Sequence, residues 1–180
     1  RHIPFASVSP EAAACSITFG APSKTFNIAG IVSSYSVVPN DSLRHRFHEW
    51  MEANEMNAAP LFSPIATIAA FRKGEEWRKQ MLEYVEGNIN FLTDYCREKM
   101  PEIKPLRPQA SFLVWLDCRS LGLDHDQLID LFIHKAGLAL NDGEMFNPGG
   151  QGFMRLNVGT PRKILKSALD RLHKAISENL

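Results

Sequence analysis

Cysteine is scarce in this sequence. Three occur in 180 residues, Cys15, Cys96 and Cys118. They are too far apart for a CxxC redox pair and lack the Cys/His spacing of a zinc site. The odd, scattered count suits a reducing cytoplasm rather than a disulfide scaffold, and each thiol reads as a small apolar residue, not a nucleophile. Excess charge is missing too. Twenty basic and twenty acidic side chains cancel, which leaves no electrostatic footprint for nucleic acid or a membrane surface. No apolar run approaches the ~18 residues of a membrane span, and residues 1–9 lack a secretory-signal layout. An initiating Met is absent: the chain opens on Arg1-His2-Ile3-Pro4, as expected of an excised or processed segment.

What is present is ordinary soluble material, 44% hydrophobic and 22% charged, enough for one large domain or two small ones. Residues 15–19 (CSITF) and 31–38 (IVSSYSVV) are β-prone. Asn40 or Asp41 caps a helix to about Asn54, with Leu43, Phe47, Trp50 and Met51 at helical spacing. Ser63-Pro64 starts a helical stretch reaching about Met100, with an apolar stripe at Trp77, Met81, Val85, Ile89, Leu92 and Cys96. Either it is one long helix linking two domains, or two helices broken at Gly74. Beyond Pro101 the pattern changes. A strand over residues 111–116 is followed by a helix capped by Asp124 and stopped at Gly137. A short strand over 138–141, an Asp142-Gly143 turn, a glycine-rich loop from Asn147 to Gly152 and a strand over 153–158 come next. Thr160-Pro161 opens a last helix with Ile164, Leu165, Ala168, Leu169, Leu172 and Ile176 on one face. The order predicts a small α+β domain with an antiparallel sheet covered by helices.

Two side chains stand out chemically. Lys24 follows a β-prone run, between Ser23 and Thr25, in a loop able to offer hydroxyls and N–H groups to a phosphate. On local spacing alone, a surface lysine in a turn is the commoner reading. A P-loop does not fit: Ser23 replaces the glycine before the lysine, Gly20 is two residues too close, and Pro22 removes an N–H. Arg155 lies mid-strand, where alternation puts Met154, Leu156 and Val158 on one face and Phe153, Arg155 and Asn157 on the other. Beside a glycine-rich loop it is placed for bidentate carboxylate recognition, although a lone strand arginine more often faces solvent. His45 and His48, with Glu49 and Glu52, read as a solvated helix face rather than a metal site, and His125 as part of a helix cap. No metal site and no Ser/His/Asp arrangement is legible.

Ala21-Pro22-Ser23-Lys24-Thr25-Phe26-Asn27-Ile28-Ala29-Gly30 resembles the cofactor-lysine segment of the cystathionine β-lyase-like (MalY/PatB) branch of the class I/II aminotransferases. Leu140-Asn141-Asp142-Gly143-Glu144-Met145-Phe146 and the run from Gly149 to Asn157 resemble the same branch, in the right order, and the likeness covers the whole chain. It implies an α/β fold-type I architecture: residues 1–75 ending a large cofactor-binding domain, 76–103 a bridging helix, 104–180 the small C-terminal domain. It implies that Lys24 binds pyridoxal 5′-phosphate and acts as general base, that Ser23 contacts the phosphate, and that Arg155 holds the substrate's α-carboxylate. It implies a homodimer acting on a small amino acid as a carbon–sulfur β-lyase. An aminotransferase on the same scaffold is the first alternative, and a non-catalytic piece that only dimerises or binds a partner the second. One position departs: where aminotransferases carry a phosphate-binding arginine eight residues after the lysine, this chain has Val32. The remaining cofactor contacts of the family lie upstream of its lysine, so this chain alone is expected to be inactive.

Overall fold

The computed structural model describes residues 2–146 and 148–179. Arg1 and Asn147, the latter at the head of the expected glycine-rich loop, lie outside the described residues, as does Leu180. The chain divides into two compact units, residues 1–80 and 81–180.

The first unit begins with α1 (Pro10–Ala14), capped by the Ser9 hydroxyl, which accepts from the Ala12 N–H. Strand β1 (Thr18–Gly20) pairs antiparallel with β2 (Tyr35–Val37). Both are shorter than their β-prone runs. β2 starts late for a local reason: residues 29–31 form a 3-10 turn, and Val32 takes the left-handed region at φ 52°. That conformation is costly for a β-branched residue. It is held by the buried Ser63 hydroxyl, which donates to the carbonyls of Ile31 at 2.6 Å and Val32 at 3.3 Å. Asn40 caps α2 (Asp41–Ala53), its side chain accepting from the Leu43 N–H. Leu43, Phe47 and Met51 are half-buried, and Trp50 is exposed. Helix α3 (Ser63–Lys73) ends at Gly74, and α4 (Glu75–Lys99) begins at once, so the break at Gly74 is a single residue wide.

The second unit surrounds a four-stranded antiparallel sheet in the order β3-β4-β6-β5, where β3 is Lys104–Leu106, β4 Leu113–Asp117, β5 Asn141–Asp142 and β6 Phe153–Asn157. Helix α5 (His125–Asp130) carries a full capping box of Asp124 and Gln127. It runs on through a π-helical turn, Leu131–Lys135, and the chain reverses at Gly137, φ 64°, as its stop signal requires. The sequence suggested a strand over 138–141. Only Asn141 pairs with β6 from that run, and the strand extends instead to Asp142. Helix α6 (Arg162–Asn179) buries Leu165, Leu169, Leu172, Ala175 and Ile176. Ile164, expected on that face, is exposed, because the buried arc turns toward Ala175.

The core of this unit lies on one face of the sheet. Val114, Leu116, Met154 and Val158 are essentially out of water, covered by the α4 stripe from Val85 to Met100, by Leu131 and Phe132, and by α6. The strand alternation read from the sequence is therefore correct. One polar group breaks the apolar rule. Asn88, on the α4 stripe and fully buried, donates to the carbonyls of Val158 and Thr160, both at 2.8 Å, and accepts from Arg162 Nε at 2.6 Å. With its partners met it costs little and fixes the β6–α6 junction against α4.

Candidate active site

Lys24 sits in a single helical turn. The Phe26 N–H donates to the Pro22 carbonyl at 2.9 Å, and the Ile28 N–H to the Ser23 carbonyl at 3.0 Å. Asn27 lies between them in the left-handed region at φ 54°. This is the closing pattern of a helix C-terminus, used here to finish a helix one turn long. Pro22 is buried and Phe26 half-buried, while Lys24 and Thr25 are exposed. The Phe26 ring meets Phe71 edge-on, with centroids 5.4 Å apart, and fills the space a side chain at Gly74 would need: a Cβ there would lie 2.8 Å from it. Gly74 thus both interrupts the helix and anchors the lysine turn. Among the described residues the Lys24 ammonium has neither an ion-pair nor a hydrogen-bond partner. The N–H groups of Ser23, Lys24 and Thr25 precede the first bond of the turn and have no backbone acceptor among the described residues. A primary amine beside these donors and two hydroxyls is a set that fits an aldehyde carrying a phosphate. The residues present thus fit such a group on one side.

Arg155 lies in the other unit, on the face of the sheet away from the core. Register places Leu106, Trp115, Arg155 and Asn141 in one row across the four strands. Arg155 Nη2 donates to Asn141 Oδ1 at 2.9 Å. The guanidinium carbon stands 4.2 Å from the centroid of the Phe146 ring, and Phe146 meets Trp115 edge-on at 5.2 Å. Arg155 Nε is buried and has no hydrogen-bond partner among the described residues. Leu106, Trp115, Phe146, Gly149, Gly150 and Phe153 line an apolar recess of about 320 Å³ next to it. A planar, permanently charged fork with an unmet donor is equipped to take a carboxylate.

Sequence reasoning missed Asn141 and Phe146 as neighbours of Arg155. They precede the arginine by fourteen and nine residues, and only the antiparallel return of the chain brings them beside it. It also gave His125 a role in capping. The cap is Asp124 with Gln127, while His125 faces Asp142 at 3.5 Å and Glu144 at 3.3 Å. His45 pairs with Glu49 at 3.1 Å on an exposed face. Among the described residues, no cluster of three or more His, Cys, Asp or Glu is arranged to hold a metal ion, and no helix is long and apolar enough to cross a membrane.

No family model matches the chain. Individual proteins do. It is 37% identical over 177 residues to cystathionine β-lyase PatB of Bacillus subtilis (strain 168), a match covering 98% of this chain and 46% of that protein. Its fold superposes with a TM-score of 0.93 on a pyridoxal-phosphate-bound protein of Clostridium difficile 630 assigned to the aminotransferases, at 40% identity, over 98% of this chain and 46% of that one. The chain is a homologue of the cystathionine β-lyases and their aminotransferase relatives. Cystalysin of Treponema denticola, solved with pyridoxal 5′-phosphate, is a further structural relative, with TM-score 0.88 and 31% identity over 98% of this chain and 45% of that one. The architecture is that of the C-terminal portion of a fold-type I enzyme. The chain spans about half the length of the curated β-lyases it matches.

Proposed function

We propose that this chain is the C-terminal half of a carbon–sulfur β-lyase, acting on L-cystathionine, L-cysteine or a cysteine S-conjugate with pyridoxal 5′-phosphate. In this reading residues 1–75 end the large cofactor-binding domain, 76–103 form the bridging helix, and 104–180 form the small domain. The observation that carries it is the Lys24 turn: an unpaired amine beside unengaged N–H groups and two hydroxyls, anchored by Phe26 on Phe71.

When bound, the cofactor supplies a sink for the electrons left when the substrate's α-proton is removed. Lys24 is the residue that would hold its aldehyde carbon, and Ser23 its phosphate. Lys24 then moves the proton at Cα as general base. Arg155 holds the α-carboxylate and so orients the substrate. The Cβ–S bond breaks, the thiol departs, and water releases pyruvate and ammonia from what remains.

The absence of an arginine at position 32 favours the lyase over the aspartate-aminotransferase branch. The likeness to an aminotransferase-assigned structure supports the second reading, an aminotransferase with the same roles for Lys24 and Arg155. We further place the enzyme in the cytoplasm as a homodimer, on the three unbridged cysteines and on the resemblance. The test is pyruvate formation from L-cystathionine by the intact enzyme with no keto-acid acceptor added. Turnover supports the lyase, and dependence on an acceptor identifies the aminotransferase. Borohydride reduction of the holoenzyme should fix the cofactor on the peptide containing Lys24, and labelling elsewhere overturns that assignment. The 180-residue chain alone should produce no pyruvate.

A further inference from the structure

The turn beside Arg155 is braced from several directions. Gly143 and Gly150 pack backbone to backbone: a Cβ on Gly143 would meet the Gly150 carbonyl oxygen at 2.1 Å, and one on Gly150 would meet that of Gly143 at 1.9 Å. Asp142 Oδ1 accepts from the Glu144 N–H at 3.0 Å. His125, from the start of α5, stands against the carboxylates of both residues. These contacts fix a six-residue segment whose two ends touch the same guanidinium, Asn141 through Nη2 and Phe146 through the face of the ring.

We propose that Asn141 and Phe146 are positioning residues that aim Arg155 at a carboxylate. The inference rests on the reading of Arg155 as the carboxylate-binding group and deepens it. An arginine side chain has four rotatable bonds, and a bidentate contact requires one orientation of its plane. Phe146 lies against one face of that plane and so closes that side to an anion. Asn141 occupies one donor of Nη2, and among the described residues no other hydrogen-bond partner of the guanidinium is found. A neutral amide does this without cancelling the positive charge, which an aspartate in the same place would do. The buried Nε, without an acceptor among the described residues, is a further unmet donor of the same fork.

The experiment uses the intact enzyme and measures KM, kcat, thermal unfolding and calorimetric binding of L-cystathionine for Arg155→Ala, Asn141→Ala, Asn141→Asp, Phe146→Leu and the Arg155→Ala/Asn141→Ala pair. Asn141→Ala is expected to weaken binding and raise KM about tenfold, the scale of one charge-assisted contact, with the effect falling on KM rather than kcat. Asn141→Asp keeps the shape and the contact, so its unfolding temperature should not fall, yet KM should rise at least as far as in the alanine variant. A purely structural asparagine would give the opposite result. Phe146→Leu should move KM in the same direction by less. The double variant should be no worse than Arg155→Ala, because Asn141 acts through that arginine. Wild-type KM in Asn141→Asp, with KM raised in Arg155→Ala, overturns the positioning role and leaves the carboxylate reading standing. Wild-type KM and affinity in Arg155→Ala overturn both.

Discussion

In residues 81–180, Leu92, Phe132 and Met154 are wholly out of water, whereas residues 1–80 leave Phe19, Val37, Trp50, Phe62 and Ile65 more than half exposed. Both stretches are apolar enough to build a core, and both form caps and turns correctly. They differ in what their elements can close around. The sheet of the second unit has four strands and one face covered by helices. The first unit has a two-stranded ribbon, and such a ribbon is marginal without a third strand or a helix to cover it. Among the described residues there, only Ala12, Pro22, Val38 and Ser63 are buried. Good local structure and a sealed interior are thus separate achievements. The proposed division of labour places the bond-making lysine on the first unit and the recognising arginine on the second.

The sharpest test of that division is kinetic. Lys24→Ala in the intact enzyme should lower kcat by ~10²–10⁴ through loss of the general base alone. Arg155→Ala should cost about 2–4 kcal/mol in kcat/KM, mainly through KM. If the lysine variant changes KM alone, the assignment of chemistry to the first unit is broken. Packing gives the next effect. Leu92→Ala should destabilise the protein by about 2–5 kcal/mol in denaturant unfolding, and Leu43→Ala on half-buried α2 by clearly less. Equal losses would erase the contrast.

Alkaline pH comes third. Burial pushes the thiols of Cys96 and Cys118 up to about 12, from an ordinary value of 9.0. Above pH 9.0 the unfolded chain releases protons that the folded one keeps, so stability should fall as pH rises from there toward about 12. Tyr95, raised by burial and then by its hydrogen bond to Asp170, adds to the same slope. A flat stability between pH 9 and 11 in urea melts would contradict this. The smallest measurement is a thiol count. Cys15 is exposed and should react with a disulfide reagent in the native chain, while Cys96 and Cys118 wait for unfolding.

Much of this was legible locally. Asn40, Asp124 and Gly137 marked helix ends because capping depends on neighbours within a few residues. The 154/156/158 alternation named a core face because strand period is a property of the backbone. Lys24 and Arg155 emerged from motif resemblance. What escaped depends on distant partners. Val32 is held left-handed by Ser63, thirty-one residues away. Asn88 is satisfied by carbonyls seventy and more residues downstream, although an asparagine interrupting the stripe between Val85 and Ile89 was a visible anomaly. The strand expected over 138–141 failed because Leu138 turns into the core just after Gly137, before pairing with β6 begins.

The contact between Gly143 and Gly150 has a consequence for altering the proposed specificity. The turn that carries Asn141 and Phe146 is braced at two positions that have no side chain at all. A side chain at either would push the two backbone segments apart and so shift the arginine's neighbours, although neither glycine is among the residues that touch the guanidinium. A library confined to Asn141 and Phe146, the residues that touch the arginine, would leave this adjustment untouched. One that varies the length of the loop between the two glycines would move the arginine's neighbours together.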